Sequence, residues 1–325
     1  MLIRFWGTRG SIPSPLHAAA VRAKVRAALM KTIGRTLDTV QRVDAFMSEQ
    51  LDFATTGTFG GNSSCVQVES GPAGGDEYFI LDAGTGLREF GRYHVATRGA
   101  QRKSVFNIVL SHVHWDHIIG FPFFAPAFVA GNLIRIHGCH PEREVLREAF
   151  ARLMSAPCFP VEFDHLPAAI EFVPMEPART YTIGGFAVRA VKQYHPSDSY
   201  GYRIEKHGKI AVYSTDSEHK PAEKGEGYSL ADFFKNADLV IFDAQYSLAE
   251  TIGSKEDWGH SSNIVGVELC QRAGAKHLCL FHHEPSLDDA VLQRILQETI
   301  QVETLSRRGA PLRISSAYDG LEISL

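Results

Sequence analysis

The chain has 325 residues, 44% hydrophobic and 22% charged, with Lys+Arg 33 against Asp+Glu 37 and a formal net charge of −4. That is ordinary globular composition without a broad basic surface, so a long nucleic acid is not expected as a partner. A mean hydropathy of −0.11 with no apolar run of about 18 residues excludes a membrane-spanning helix, and the five cysteines form no Cys-x-x-Cys pair, so a reducing cytoplasm fits better than a disulfide scaffold.

Residues 1–13 read as a short strand and turn, too soon broken for a signal peptide. From Val21 the apolar positions Val21, Val25, Leu29, Ile33, Leu37, Val40, Val43 and Met47 advance by three or four, the helical period, with Gly34 as a break. The other face carries Arg22, Lys24, Arg26, Lys31, Arg35 and Arg42 against Asp38, Asp44 and Glu49. It reads as the solvated face of a docked helix. Strands are expected at 64–68, 78–81, 105–110 and 133–137, then at 187–191, 202–205, 210–214, 239–242 and 278–281. Lys206-His207-Gly208-Lys209 has the composition of a hairpin turn. Helices are expected at 141–154, 262–273 and 286–306, the last two behind Ser caps. Strands in both halves with helices between them imply an α/β fold, a two-sheet sandwich flanked by helices. Without a linker or repeat, residues 1–325 read as one domain with a helical insertion at 14–56.

The sharpest local signal is His112-Val113-His114-Trp115-Asp116-His117, directly after the apolar run 105–110. Open α/β sheets place ligands just past the carboxyl ends of their strands. Three imidazoles and a carboxylate packed together without a cation would be desolvated or mutually repelled. A divalent metal removes the conflict, and zinc, manganese and iron all accept His nitrogen and carboxylate oxygen. His195, Asp216 and His282 occupy the same place at the ends of later strands. The set then divides: His112, His114 and His195 for one ion, Asp116, His117 and His282 for the other, and Asp216 between them. Asp82, in the turn Asp82-Ala83-Gly84-Thr85-Gly86, either bonds a ligand histidine or caps the turn. Phe121 to Phe124 either pack in the core or wall the pocket. His137, Cys139 and His140 read as a strand-end loop, and His283 as second to His282.

This pattern, His112-x-His114-x-Asp116-His117 followed by His195, Asp216 and His282, resembles the metallo-β-lactamase-fold hydrolases over nearly the whole chain outside 14–56. Within them it is similar to the phosphodiesterase branch that includes RNase Z, through Phe5-Trp6-Gly7-Thr8-Arg9-Gly10-Ser11, Asn62-Ser63-Ser64, Leu81 to Gly86, His195-Pro196-Ser197 and His260-Ser261-Ser262. The resemblance implies an αββα four-layer sandwich. It also implies a pair in which Asp243, standing where those enzymes have Glu, orients His260 beside the leaving group. Asn62 is carried over as a pocket or supporting residue.

The reaction so implied is metal-dependent hydrolysis of a phosphodiester by a hydroxide between two divalent ions, zinc first among them, with Asp116 as a proton acceptor. The basic, Gly/Pro-rich arm with which RNase Z enzymes clamp transfer RNA is absent. A small anionic substrate, such as a cyclic nucleotide, is therefore expected rather than a long nucleic acid or a membrane, and a homodimer stays open. Hydrolysis of carboxylic or sulfuric esters at the same site, and a non-catalytic metal-bound regulator, are the alternatives.

Overall fold

Strands that are apolar on both faces need cover on both sides, and here two stacked sheets cover each other while helices line their outer faces. The computed structural model describes residues 1–70, 75–140, 143–219 and 230–325. Among these, the first sheet holds β1 (Leu2–Gly7), β2 (Cys65–Glu69), β3 (Glu77–Leu81), β4 (Val105–Leu110), β5 (Leu133–Gly138) and β6 (Ala169–Pro174) in that order, with β14 (Glu322–Ser324) beside β1. The second runs from β7 (Thr180–Ile183) through β8 (Phe186–Gln193), β9 (Ser199–Lys206), β10 (Lys209–Ser214), β11 (Leu239–Asp243) and β12 (His277–Phe281) to β13 (Arg313–Ser316).

Between the sheets, Val66, Phe79, Leu81 and Val109 meet Val188, Tyr202, Tyr213, Ile241 and Phe281. Each large apolar side chain buried this way contributes roughly 1.5–3 kcal/mol relative to exposure. Helices α4 (Gly86–Arg98) and α6 (Arg143–Leu153) close the first sheet's outer face, where Leu87, Phe90, Leu146 and Phe150 pack on Phe106, Ile108 and Ile134. On the second sheet, α7 (Leu230–Phe234) and α9 (Asn263–Ala273) bring Phe233, Phe234, Val267 and Cys270 onto Val212, Val240 and Leu278, with α10 (Asp289–Ser306) alongside. The result is the four-layer αββα sandwich. Strands β3 to β6 are mutually parallel, as are β10 to β13, so each sheet gathers its carboxyl ends along one edge.

The expected strands and hairpin recur with small shifts. Lys206 pairs with Lys209, and His207 and Gly208 have φ of 51° and 72°, the double positive φ of a two-residue turn matched to strand twist. The expected helix at 141–154 is described from Arg143, because 141 and 142 lie outside the described residues.

The segment between β1 and β2 differs from expectation. It forms α1 (Ala18–Thr32), α2 (Val40–Gln50) and α3 (Phe53–Thr56), but the apolar stripe of α1 faces solvent, with Val25 53% and Leu29 61% exposed. The helix docks through a lysine instead. Lys24 Nζ lies 2.6 Å from Asp289 Oδ2, at the start of α10, and donates to the carbonyls of Ala54 and Gly57. A 3.6-residue period identifies a helix without saying which face docks, and here a charged anchor decides.

Candidate metal centre

The clustered polar residues stand at strand ends. Asp82 follows β3. His112, His114, Asp116 and His117 follow β4 and run into the single turn α5 (Trp115–Ile118). His195 follows β8, Asp216 follows β10, Asp243 ends β11 and His282 follows β12. Asp82, Asp216 and His282 have φ of 59°, 47° and 60°, a left-handed conformation that non-glycine residues keep only where their surroundings enforce it. Gly10 packs against the His282 imidazole so closely that a Cβ there would come within 2.6 Å of the ring.

Three overlapping donor groups result, one of them Asp216, Asp243, His260 and His282. His112, His114 and His195 present one nitrogen each within 4.8 Å of one another, and Asp116, His117, Asp216 and His282 do the same with their ligand atoms. Asp216 lies between these two groups. Its Oδ1 is 3.2 Å from both His117 Nε2 and His282 Nε2, while its Oδ2 is 3.7 Å from His112 Nε2 and 3.9 Å from His195 Nε2.

Neighbouring groups fix the tautomers and orientations. His195 Nδ1 donates to the Gly259 carbonyl at 2.8 Å, which leaves Nε2 facing His114 Nδ1 at 3.1 Å. Asp82 Oδ2 is 2.8 Å from His117 Nδ1 and accepts the Tyr213 hydroxyl at 2.7 Å, while Asp82 Oδ1 accepts Ser111 N–H at 2.7 Å. The Ser11 amide donates to Asp116 Oδ2 at 2.8 Å. Despite the methylene shorter reach of Asp relative to Glu, Asp243 Oδ2 lies 2.9 Å from His260 Nδ1, and the His260 ring stacks on His282 at 5.1 Å.

Burial, reinforced by the neighbouring His117, holds His112 well below the usual histidine range; burial also lowers His114 and His195. These imidazoles stay neutral and keep a lone pair. Burial opposes charge on His260 as well, but Asp243 beside it outweighs this and raises the imidazole to about 9. His112 Nε2 and His117 Nε2 are buried with no hydrogen-bond partner among the described residues. Buried polar atoms without partners are uncommon. Neutral imidazoles, carboxylates and unpartnered nitrogens in one cluster fit a divalent metal in donor type and number.

Other singled-out residues lie elsewhere. Asn62 donates from N and Nδ2 to Asp319 Oδ2, both at 3.0 Å, and so secures a loop rather than facing the donors. Phe121 is fully buried against Phe150 and Phe163, in the core and not in a pocket wall. His283 is buried and bonds the Ala317 carbonyl, and His137 sits inside β5 against Asn107 Oδ1. Ser111 opens the histidine motif in the sequence but gains a role only here, against Asp82, and the sequence reading missed Tyr213 and Gly259. Tyr213 looks like any core aromatic of an apolar strand, and Gly259 acts through its backbone carbonyl.

A ribonuclease Z from Thermoplasma acidophilum is 22% identical over 278 residues, spanning 70% of this chain and 85% of its own length. The metallo-beta-lactamase fold protein YhfI from Bacillus subtilis superimposes with a TM-score of 0.61 at 18% identity, covering 99% of this chain and 98% of its own. The short form of human tRNase Z gives 0.55 at 19% identity, covering 100% and 99%. Ribonucleases among the relatives overturn the exclusion of a long nucleic acid as partner. A net charge of −4 averages over the whole surface, whereas a polyanion meets the local potential of the site. The fold is the metallo-β-lactamase fold. The family profile described as beta-lactamase superfamily domain matches residues 77–283, and the chain belongs to that family.

Proposed function

We propose that the chain is a metal-dependent hydrolase of phosphoric diesters, working with two divalent ions, zinc first among them. The observation that carries this reading is the buried Asp243–His260 pair, 2.9 Å apart beside the donor cluster. A departing alkoxide needs a proton, which an oriented imidazolium supplies, whereas a β-lactam or thioester leaving group needs less help. His112, His114 and His195 would hold one ion and Asp116, His117 and His282 the other, with Asp216 within reach of both groups. Bound there, the ions act as Lewis acids that make water more acidic and offset charge on phosphate oxygens. Asp116, fixed by the Ser11 amide, accepts a proton from the attacking water. Asp243 pins His260 through Nδ1, so that Nε2–H faces the leaving oxygen. In keeping with the ribonuclease names of its relatives, RNA stands first among the diesters.

Turnover of RNA, a cyclic nucleotide, a lactone and a sulfate ester by the zinc-loaded protein, with Asp216→Ala as the blank, tests the reading. His260→Ala is expected to lower kcat on the diesters by about 10² to 10⁴ at unchanged zinc content. Undiminished diester turnover in that variant, or preference for the lactone or sulfate ester, would sink the proposal.

A further inference from the structure

Two of the three tryptophans of this chain, Trp115 and Trp258, are 76% and 53% exposed, as is Tyr194 at 52%. Each borders the candidate site in sequence: Trp115 between His114 and Asp116, Tyr194 before His195, and Trp258 two residues before His260. An exposed aromatic face can take up the flat apolar part of a ligand.

Trp258 is also held in place. Lys255 Nζ lies 3.5 Å from its ring centroid and 5.3 Å from that of Tyr246, and the Tyr246 ring meets His260 edge-on at 5.5 Å. Tyr194 donates its hydroxyl to Asp257 Oδ1 at 2.8 Å, and Asp257 and Gly259 turn the chain on either side with φ of 66° and 80°. The cation covers one face of the indole, and more than half of the residue remains exposed to solvent. An aromatic ring fixed before the ligand arrives loses little entropy on stacking.

We propose that Trp258 is a stacking platform for the nucleobase of the leaving nucleoside, so that the substrate is a nucleoside-bearing diester rather than an alkyl or lipid one. The inference rests on the reading of His260 as the proton donor to the leaving oxygen, since Trp258 stands two residues before His260 and is linked to it through Lys255 and Tyr246. Stacking tolerates any base because every base has a π-face.

Steady-state kinetics of the zinc-loaded full chain on adenylyl-adenosine, and on analogues with an abasic ribose on one side or the other of the phosphate, test it. Trp258→Ala is expected to raise KM for adenylyl-adenosine about 5- to 100-fold, leaving kcat within about threefold, while Trp258→Phe stays near wild type. KM for the analogue without the leaving-side base should not move in Trp258→Ala. An equal rise on that analogue, or no rise on any substrate, overturns the platform. Calorimetric titration of adenosine, the leaving nucleoside of that substrate, into the zinc-loaded protein gives a reading independent of turnover. Binding weakened by Trp258→Ala and kept by Trp258→Phe supports the inference; no binding to wild type, or equal binding to Trp258→Ala, refutes it. If wild type cleaves none of the diesters, the proposed activity fails while the adenosine arm still decides the platform.

Discussion

Asp82 acts on the candidate metal centre without belonging to its donor set. Its carboxylate collects Ser111 N–H, the Ser111 and Tyr213 hydroxyls and His117 Nδ1, so it sets which His117 nitrogen faces the centre. Asp82→Asn removes the charge and puts a donor where His117 needs an acceptor. Zinc affinity should fall about 10- to 100-fold in that variant, read by competition with a chromogenic chelator, and Tyr213→Phe should lose less. Legibility at this scale was uneven for a physical reason. His112, His114, Asp116 and His117 stand out because so many ligand types within six residues cannot be packed as core. Tyr213 lies inside an apolar strand, and its hydroxyl partner is 131 residues away, a contact no local pattern encodes.

Helix α1 inverts the usual rule that a large apolar stripe faces the body. Ala20, Lys24, Ala28 and Thr32 are its half-buried positions, while Val21, Val25 and Leu29 stay exposed. Lys24→Met would leave the buried Asp289 carboxylate with Arg9 at 3.9 Å as its remaining ion-pair partner among the described residues. A loss of about 1–3 kcal/mol is expected in urea unfolding, against a change within about 0.5 kcal/mol for Leu29→Ser. The reverse ranking would mean that the apolar face docks after all. Helix α4 escaped the sequence reading for a related reason. Its inner face holds Gly86, Gly91 and His94 beside Leu87 and Phe90, which breaks the apolar period that reveals a helix. Strands were easier to read, because buried parallel strands such as β4, β11 and β12 are near-continuous apolar runs.

For the molecule as a whole, the two-sheet architecture followed from where strand and helix signals alternate, whereas the edge strands β7 and β14 are short and half-exposed and left little trace. Acid sensitivity is also a whole-molecule property. Burial, helped by Arg135 and Arg313 respectively, lowers His137 and His277 to about 4 each. Both are therefore neutral in the folded chain and take up protons near pH 6.5 when it unfolds. Their stabilising effect is complete above about pH 6.5 and is lost as pH falls toward 4, by up to about 3 kcal/mol for each. Urea midpoints measured at pH 7.5, 6 and 5 should decline across that window, and His277→Gln should flatten the decline. A pH-independent midpoint would contradict the buried, neutral state of these rings.

The spread of the donors across both sheets also orders them in time during synthesis. His112, His114, His195 and Asp216 have all been synthesised once residue 216 is made, but Asp216 faces the second group through Oδ1, and that group waits for His282 at the end of β12. His260 and its partner Asp243 likewise emerge between these events. The first donor group can thus be gathered well before the second. The full donor set exists only when the second sheet has nearly all its strands, so a half-made chain cannot yet assemble it.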